Sequence, residues 1–215
     1  VYEAKATLGG QFRIAAFPPA KSLLTGPLRF WLQEGKKAGV NYVLNTEVTK
    51  ELVEEKKPDA VILATGGKQL VPSIKGIDKE NVFLAHDVLE GIKKVGRNVL
   101  IAGAGLVGLE AADFLRGRTS TLIDMIPAVN YGILGVGTHL KARLDSIGTQ
   151  YIMGAKIKEF TDTGVVYEQN GEEKTADGYD SIIIAMGAKA YNPLEEELKG
   201  IVSEVHVIGD AKEAG

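Results

Sequence analysis

Apolar positions recur along this chain in two rhythms, one helical and one of short continuous runs. Leu24, Leu28, Trp31, Leu32 and Gly35 fall three and four residues apart, which predicts a helix over residues 21–38 with one face turned to a core. Pro27 lies early enough to belong to its first turn, and Gly39 is placed to stop it. A short strand is expected over residues 41–44. Thr49 is positioned to cap a helix running to Lys56, closed by Pro58. Val1-Tyr2-Glu3 reads as the end of a strand finishing in an acid, followed by a glycine turn at Leu8-Gly9-Gly10-Gln11.

From residue 98 the runs alternate as strand, helix, strand. Asn98–Ala102 is an apolar strand, Leu106–Leu115 a helix and Ser120–Asp124 a second strand. Val136–Ile147 is a second helix stopped by Gly148, and Gln150–Met153 a third strand. Residues 155–176 alternate, with turn signals at Gly164 and Asn170-Gly171, and predict a hairpin or meander. A last strand is expected at Val205–Ile208. Two segments share one pattern: Asp59–Gly66 and Asp180–Gly187 each run from an acid through an apolar strand into a glycine. Two related nucleotide-binding domains, one inserted in the other, would produce that repeat. Lys68–Asp78, with Pro72 and Gly76, and the stretch marked by Pro193 and Gly200 are the expected crossings.

The chemistry is densest at Gly103-Ala104-Gly105-Leu106-Val107-Gly108, a GxGxxG that follows an apolar strand and opens a helix. The first glycine permits the tight turn, the second a close approach of a pyrophosphate, and the third close packing of helix on strand. The helix N-terminus adds unpaired N–H groups and partial positive charge. Asp124 ends the next strand, 124 − 103 = 21 residues on, near the interval of about 20 at which an acid accepts from a ribose 2′-hydroxyl. Residues 96–187 therefore read as a dinucleotide-binding Rossmann module. A carboxylate at position 124 repels a 2′-phosphate, and Met125-Ile126-Pro127 brings no arginine to receive one, so NADH is favoured over NADPH. Arg116 and Arg118 precede the strand and are the cations able to fold over. Glu110 is either an exposed helix acid near the positive end of the dipole or a polar group facing the nicotinamide.

Composition narrows the class. The 215 residues are 45% hydrophobic and 25% charged, enough apolar material for a core. The net charge of −3, with no basic run, gives no reason to expect a nucleic-acid partner. Cysteine is absent, which excludes a disulfide, a Cys-bound zinc or iron–sulfur site and a redox dithiol within these residues. No run approaches the ~20 apolar residues of a membrane span, so a membrane partner is not expected and a cytoplasmic location is. His86, His139 and His206 are scattered, as are the Tyr and Phe residues, and Glu195-Glu196-Glu197 reads as a solvated helix face.

Taken in order, Glu3, Leu8-Gly9-Gly10-Gln11, Ala64-Thr65-Gly66, the 103–108 loop with Glu110, and Val207-Ile208-Gly209-Asp210 resemble the pyridine nucleotide–disulfide oxidoreductase superfamily. With Ala15-Ala16-Phe17-Pro18-Pro19, they look more narrowly like the C-terminal part of NADH:flavin oxidoreductases of the 2,4-dienoyl-CoA reductase and trimethylamine dehydrogenase type. The resemblance implies an α/β fold of two Rossmann-like, three-layer dinucleotide-binding domains. An NAD(P)H domain over residues 73–189 would be inserted in an incomplete FAD (or ADP) domain over residues 1–72 and 190–215. It assigns Glu3, Gly9, Gly10, Gln11, Thr65, Gly66 and Asp210 to the FAD half. Gly103, Gly105, Leu106, Val107, Gly108, Glu110, Asp124 and Gly187 fall to the NADH half, and no residue is assigned acid–base catalysis.

The family's first strand with its own GxGxxG has no counterpart in these residues, and the helix expected after Asp210 is cut at Gly215. The chain thus reads as a fragment of a longer flavoprotein, whose missing partner would be an N-terminal barrel carrying FMN and a four-iron cluster. FAD binding by the fragment is expected to be weak or nil, self-association is a way to cover the incomplete half, and the isolated chain should turn over little or nothing. The alternative is a non-catalytic module holding ADP or serving structure alone.

Overall fold

A computed structural model describes residues 1–129 and 135–214. The expectation about Gly215 lies outside them. In chain order the elements are α1 (Gly10–Ile14), a 3-10 turn (Ser22–Leu24), α2 (Thr25–Lys37), α3 (Lys50–Lys56), β1 (Ala60–Leu63), β2 (Gly67–Gln69), β3 (Val82–Leu84), α4 (Ala85–Leu89), β4 (Asn98–Ala102), α5 (Leu106–Phe114) and β5 (Thr119–Asp124). They continue with α6 (Val136–Ser146), β6 (Gln150–Met153), β7 (Ala155–Phe160), β8 (Gly164–Gln169), β9 (Glu172–Asp177), β10 (Ser181–Ile184), β11 (Ala188–Ala190), α7 (Leu194–Glu197), β12 (Glu204–Val207) and a 3-10 turn at Gly209–Ala211. The chain divides into two compact units. One comprises residues 1–16, 20–68 and 188–215, the other residues 17–19 and 69–187.

The second unit is a three-layer sandwich. Its middle layer is a five-stranded parallel sheet in the order β3-β10-β4-β5-β6. Strand alternation sorts the side chains onto its two faces. Val99, Ile101, Leu122 and Ile183 pack with Leu109, Ala112, Leu140 and Leu144 of α5 and α6. Leu100, Ala102, Ile123, Ile182 and Ile184 pack with Ile157, Phe160, Val165 and Tyr167 of the antiparallel β7-β8-β9 sheet. Both faces being covered explains why β4 and β10 read as continuous apolar runs. Asp113 on α5 is 1% exposed and receives Arg143 of α6 through two hydrogen bonds of 2.9 and 2.6 Å, with Arg116 at 2.8 Å. That planar, two-pronged pair locks the two helices together.

The first unit has less sheet. β1 pairs in parallel with β12 from Ala60↔Glu204 to Leu63↔Val207, and Tyr2 bridges Val43. Its core gathers Val53, Leu63, Leu194, Leu198 and Val202. Thr49 caps α3 as expected, its hydroxyl accepting the Leu52 N–H at 3.3 Å. α2 starts later than the sequence pattern suggests, because residues 22–24 wind as a 3-10 turn. The expected apolar face is only partly used: Leu24, Leu28 and Leu32 are half-buried, while Trp31 is 56% exposed and meets the Phe12 ring in a tilted contact with centroids 5.4 Å apart. The strand expected at residues 41–44 is reduced to the single bridge at Val43. β2, β3, α4 and β11 carry too few residues to show a periodicity, and β2 and β11 exist because they pair with each other. His86 lies inside α4.

Candidate dinucleotide site

The strand order places a switch in direction between β4 and β10. From β4 the chain builds outward through α5, β5, α6 and β6, and β10 then lies on the other side of β4. In open parallel sheets such a point leaves a crevice beyond the carboxyl ends of the strands. The 103–108 loop leaves β4 there, Asp124 ends β5, and Gly187 follows β10 with φ +95°.

Each glycine of the loop meets a different constraint. Gly103 has φ +115°, and a Cβ on it would sit 2.2 Å from the Ala185 carbonyl oxygen. Gly108 faces its own loop, a Cβ there falling 2.0 Å from the Gly103 oxygen. At Gly105 a Cβ would meet nothing within 4 Å. The first and third glycines are thus demanded by the protein itself, whereas the second borders open space. Gly105 is the N-cap of α5 with extended backbone and no side-chain cap, and the first helical bond is Leu109 N–H to Gly105 O at 3.0 Å. Helix geometry therefore leaves the amides of Leu106, Val107 and Gly108 without intrahelical acceptors. This cradle of amides beside an empty Cβ position fits a pyrophosphate.

Asp124 is half-buried at the rim. Its Oδ2 accepts the Ala104 N–H at 2.7 Å and its Oδ1 the Ile126 N–H at 3.1 Å. Two carboxylate oxygens offer about four acceptor positions, so room remains for a ribose hydroxyl. Glu110, on the α5 turn after Gly108, is 8% exposed. That removes the reading of an exposed helix acid.

The residues assigned to the other half lie in the first unit. Gly9 and Gly10 have φ +109° and +46° and turn the chain into α1. Gln11 donates to the Gly67 carbonyl at 2.9 Å, and Thr65 donates its hydroxyl to the Tyr191 carbonyl. Tyr191 returns its N–H to Gly66 O at 3.0 Å and carries Lys68 over its ring at 3.4 Å. Gln11, Thr65, Gly66 and Tyr191 are thus brought together. Glu3 is held separately, its backbone by Val43 and its carboxylate by the Lys5 N–H at 2.8 Å. Asp210 sits exposed in the 3-10 turn at Gly209–Ala211. Sequence reasoning missed Tyr191 and Ala104. Ala104 acts through its backbone N–H, and Tyr191 bonds Thr65 and Gly66 through its backbone, which no side-chain motif announces.

Among the described residues, no group of three or more His, Asp or Glu residues is placed to hold a metal ion, and no helix is long and apolar enough to cross a membrane. The pyridine nucleotide-disulphide oxidoreductase family pattern matches residues 35–203. The chain belongs to that family. It is 31% identical to an NADH oxidase of Thermoanaerobacter brockii, over 100% of this chain and 34% of that protein. It is 30% identical to a bilirubin reductase of Mediterraneibacter gnavus, over 99% of this chain and 34% of that one. Among solved structures it superposes on a 2-naphthoyl-CoA reductase with a TM-score of 0.91 and 25% identity, covering 100% of this chain and 33% of the other. This family member thus spans about a third of the length of these relatives.

Proposed function

We propose that this chain is the dinucleotide-binding part of an NADH-dependent flavin oxidoreductase, and that its task is to hold NADH where a flavin can accept the hydride. The observation that carries this reading is the loop of Gly103, Gly105 and Gly108 with Asp124 at its rim. The nicotinamide would supply the hydride and FAD would take it up. The chain's own residues bind and orient. The amides of Leu106, Val107 and Gly108 face the pyrophosphate, Asp124 accepts from the adenosine ribose, and buried Glu110 offers a polar group toward the nicotinamide. Gly187 lets the chain turn at the crevice.

Glu3, Gly10, Gln11, Thr65, Gly66 and Asp210 are assigned to the FAD half. That half is completed, on this reading, by the remaining two thirds of the longer protein, including an N-terminal barrel with FMN and a four-iron cluster. The parent enzyme would be a reductase of the 2,4-dienoyl-CoA reductase kind. Reductases among the similar proteins support the class, and the family membership supports NADH and FAD as the cofactors.

Calorimetric titration of the 215-residue chain with NADH and then NADPH tests the reading. NADH should saturate one site and bind at least about ten-fold more tightly than NADPH, a difference of ~1.4 kcal/mol. Equal binding of the two would remove Asp124 as the selector. Equal binding of ADP and NADH, with no reduction of added FAD, would replace the proposal with a non-catalytic ADP module.

A further inference from the structure

The carboxylate of Asp124 has a second task in the geometry. Backbone pairing between β4 and β5 runs to Ala102↔Ile123, and the Gly103 N–H extends it by bonding to Ile123 O at 2.8 Å. One residue further on, the Asp124 backbone is already committed to β6 through its register with Met153. The Asp124 side chain takes over instead, accepting the Ala104 N–H at 2.7 Å. Ala104 is fully buried, so without that oxygen its amide would lose its acceptor where water cannot replace it. The flanking Gly103 and Gly105 lack side chains to hold the segment. The other oxygen fixes the Asp124 turn by accepting the Ile126 N–H at 3.1 Å, and Ile126 in turn accepts the Gly154 N–H at 2.8 Å after β6.

We infer that Asp124 is a positioning residue for the pyrophosphate loop as well as a reader of the ribose, so that nucleotide choice and loop geometry depend on one side chain. The inference rests on the NADH site proposed above. It implies that removing this carboxylate to admit NADPH weakens every dinucleotide, including those with no group at the 2′ position.

The probe that separates the two tasks is 2′-deoxy-ADP, which has a pyrophosphate but no 2′-hydroxyl. It is titrated beside ADP into isotope-labelled protein and followed at the Gly105 and Gly108 amides. Asp124→Ala should bind 2′-deoxy-ADP roughly ten-fold more weakly than the unchanged protein, the loss expected for a charge-assisted hydrogen bond. Asp124→Asn keeps a carbonyl oxygen for Ala104 and should restore 2′-deoxy-ADP binding to within about three-fold while remaining impaired toward ADP. A folded Asp124→Ala protein whose 2′-deoxy-ADP affinity is unchanged would overturn the inference.

Amide exchange in the ligand-free protein provides a readout that needs neither nucleotide nor variant. The Ala104 amide should exchange as slowly as those of β4, and fast exchange there would equally overturn the proposal. If the unchanged protein binds neither NADH nor ADP while Ala104 is protected, the NADH reading fails and the loop anchor stands.

Discussion

The two copies of the acid–strand–glycine pattern, Asp59–Gly66 and Asp180–Gly187, align residue for residue yet meet different fates. Ile62 and Ile183 are equivalent positions; Ile62 is 64% exposed and Ile183 is 0% exposed. The second copy, β10, lies between β3 and β4, with helices on one face and the β7-β8-β9 sheet on the other. The first copy, β1, has β12 as its paired strand and only Leu63 fully buried among its residues. The acids diverge as well. Asp180 accepts the N–H groups of Arg97 and Asn98 at 2.8 and 3.0 Å and the Ser181 hydroxyl at 3.0 Å, and so ties the start of β10 to that of β4. Asp59 contributes its backbone carbonyl, which accepts the Ser203 hydroxyl at 2.7 Å. One local pattern therefore specifies a strand running into a glycine turn, and the number of neighbours decides how much stability that strand adds.

The largest effect is expected where the second copy seals the glycine loop. Gly103→Ala places a Cβ against the Ala185 oxygen at a residue with φ +115°, and should destabilise the 69–187 unit by about 4 kcal/mol. Amide exchange should accelerate through β4, β5 and β10 and leave β1 and β12 unaffected. A protected β4 in that variant would show that the loop relaxes freely.

Next comes the paired truncation. Ile183→Ala should cost about 3 kcal/mol by opening a cavity in a closed core. Its counterpart Ile62→Ala should change stability by less than about 0.5 kcal/mol. Denaturation curves of the two variants compare the copies directly, and equal losses would erase the contrast.

Between these lies Asp180→Asn. Partial desolvation of the Asp180 carboxyl group, the largest single influence, pushes it upward although the residue as a whole is exposed. The amides of Asn98 and Arg97 and the Ser181 hydroxyl together outweigh it and hold the group below its ordinary value. A carboxyl depressed in the folded state contributes stability that is complete above its unfolded value of about 3.9 and is lost as pH falls through the lower folded value. Because Asp180 is solvent-exposed, the substitution should cost only about 1 kcal/mol at pH 7. The difference from the unchanged protein should shrink below about pH 4. A penalty of constant size down to pH 2 would assign the effect to packing instead of charge.

Local signals were legible wherever one residue type enforces one conformation. Thr49 capped its helix, Asn170-Gly171 turned β8 into β9 with φ +56° and +78°, and Gly148 ended α6 at φ +82°. The candidate site was equally legible, since a GxGxxG between strand and helix with an acid on the next strand depends on chain-local geometry. Less legible were the short pieces. β2 and β11 are three residues each and owe their form to one another. Trp31 fits a helical stripe and still faces outward, because periodicity marks a face without supplying what covers it.

The sequence by itself determined the Rossmann-like class, the order of strands and helices from residue 98 to 184, the glycine loop and the acid at its rim. Each of these follows from side-chain periodicity or from a glycine's access to positive φ. Only the tertiary structure decided that Glu110 is buried, that Gly105 borders open space while Gly103 and Gly108 do not, and that Asp124 holds the Ala104 amide. Those depend on which backbone atoms from distant segments arrive within 3 Å of a side chain, and no spacing along the chain encodes that distance.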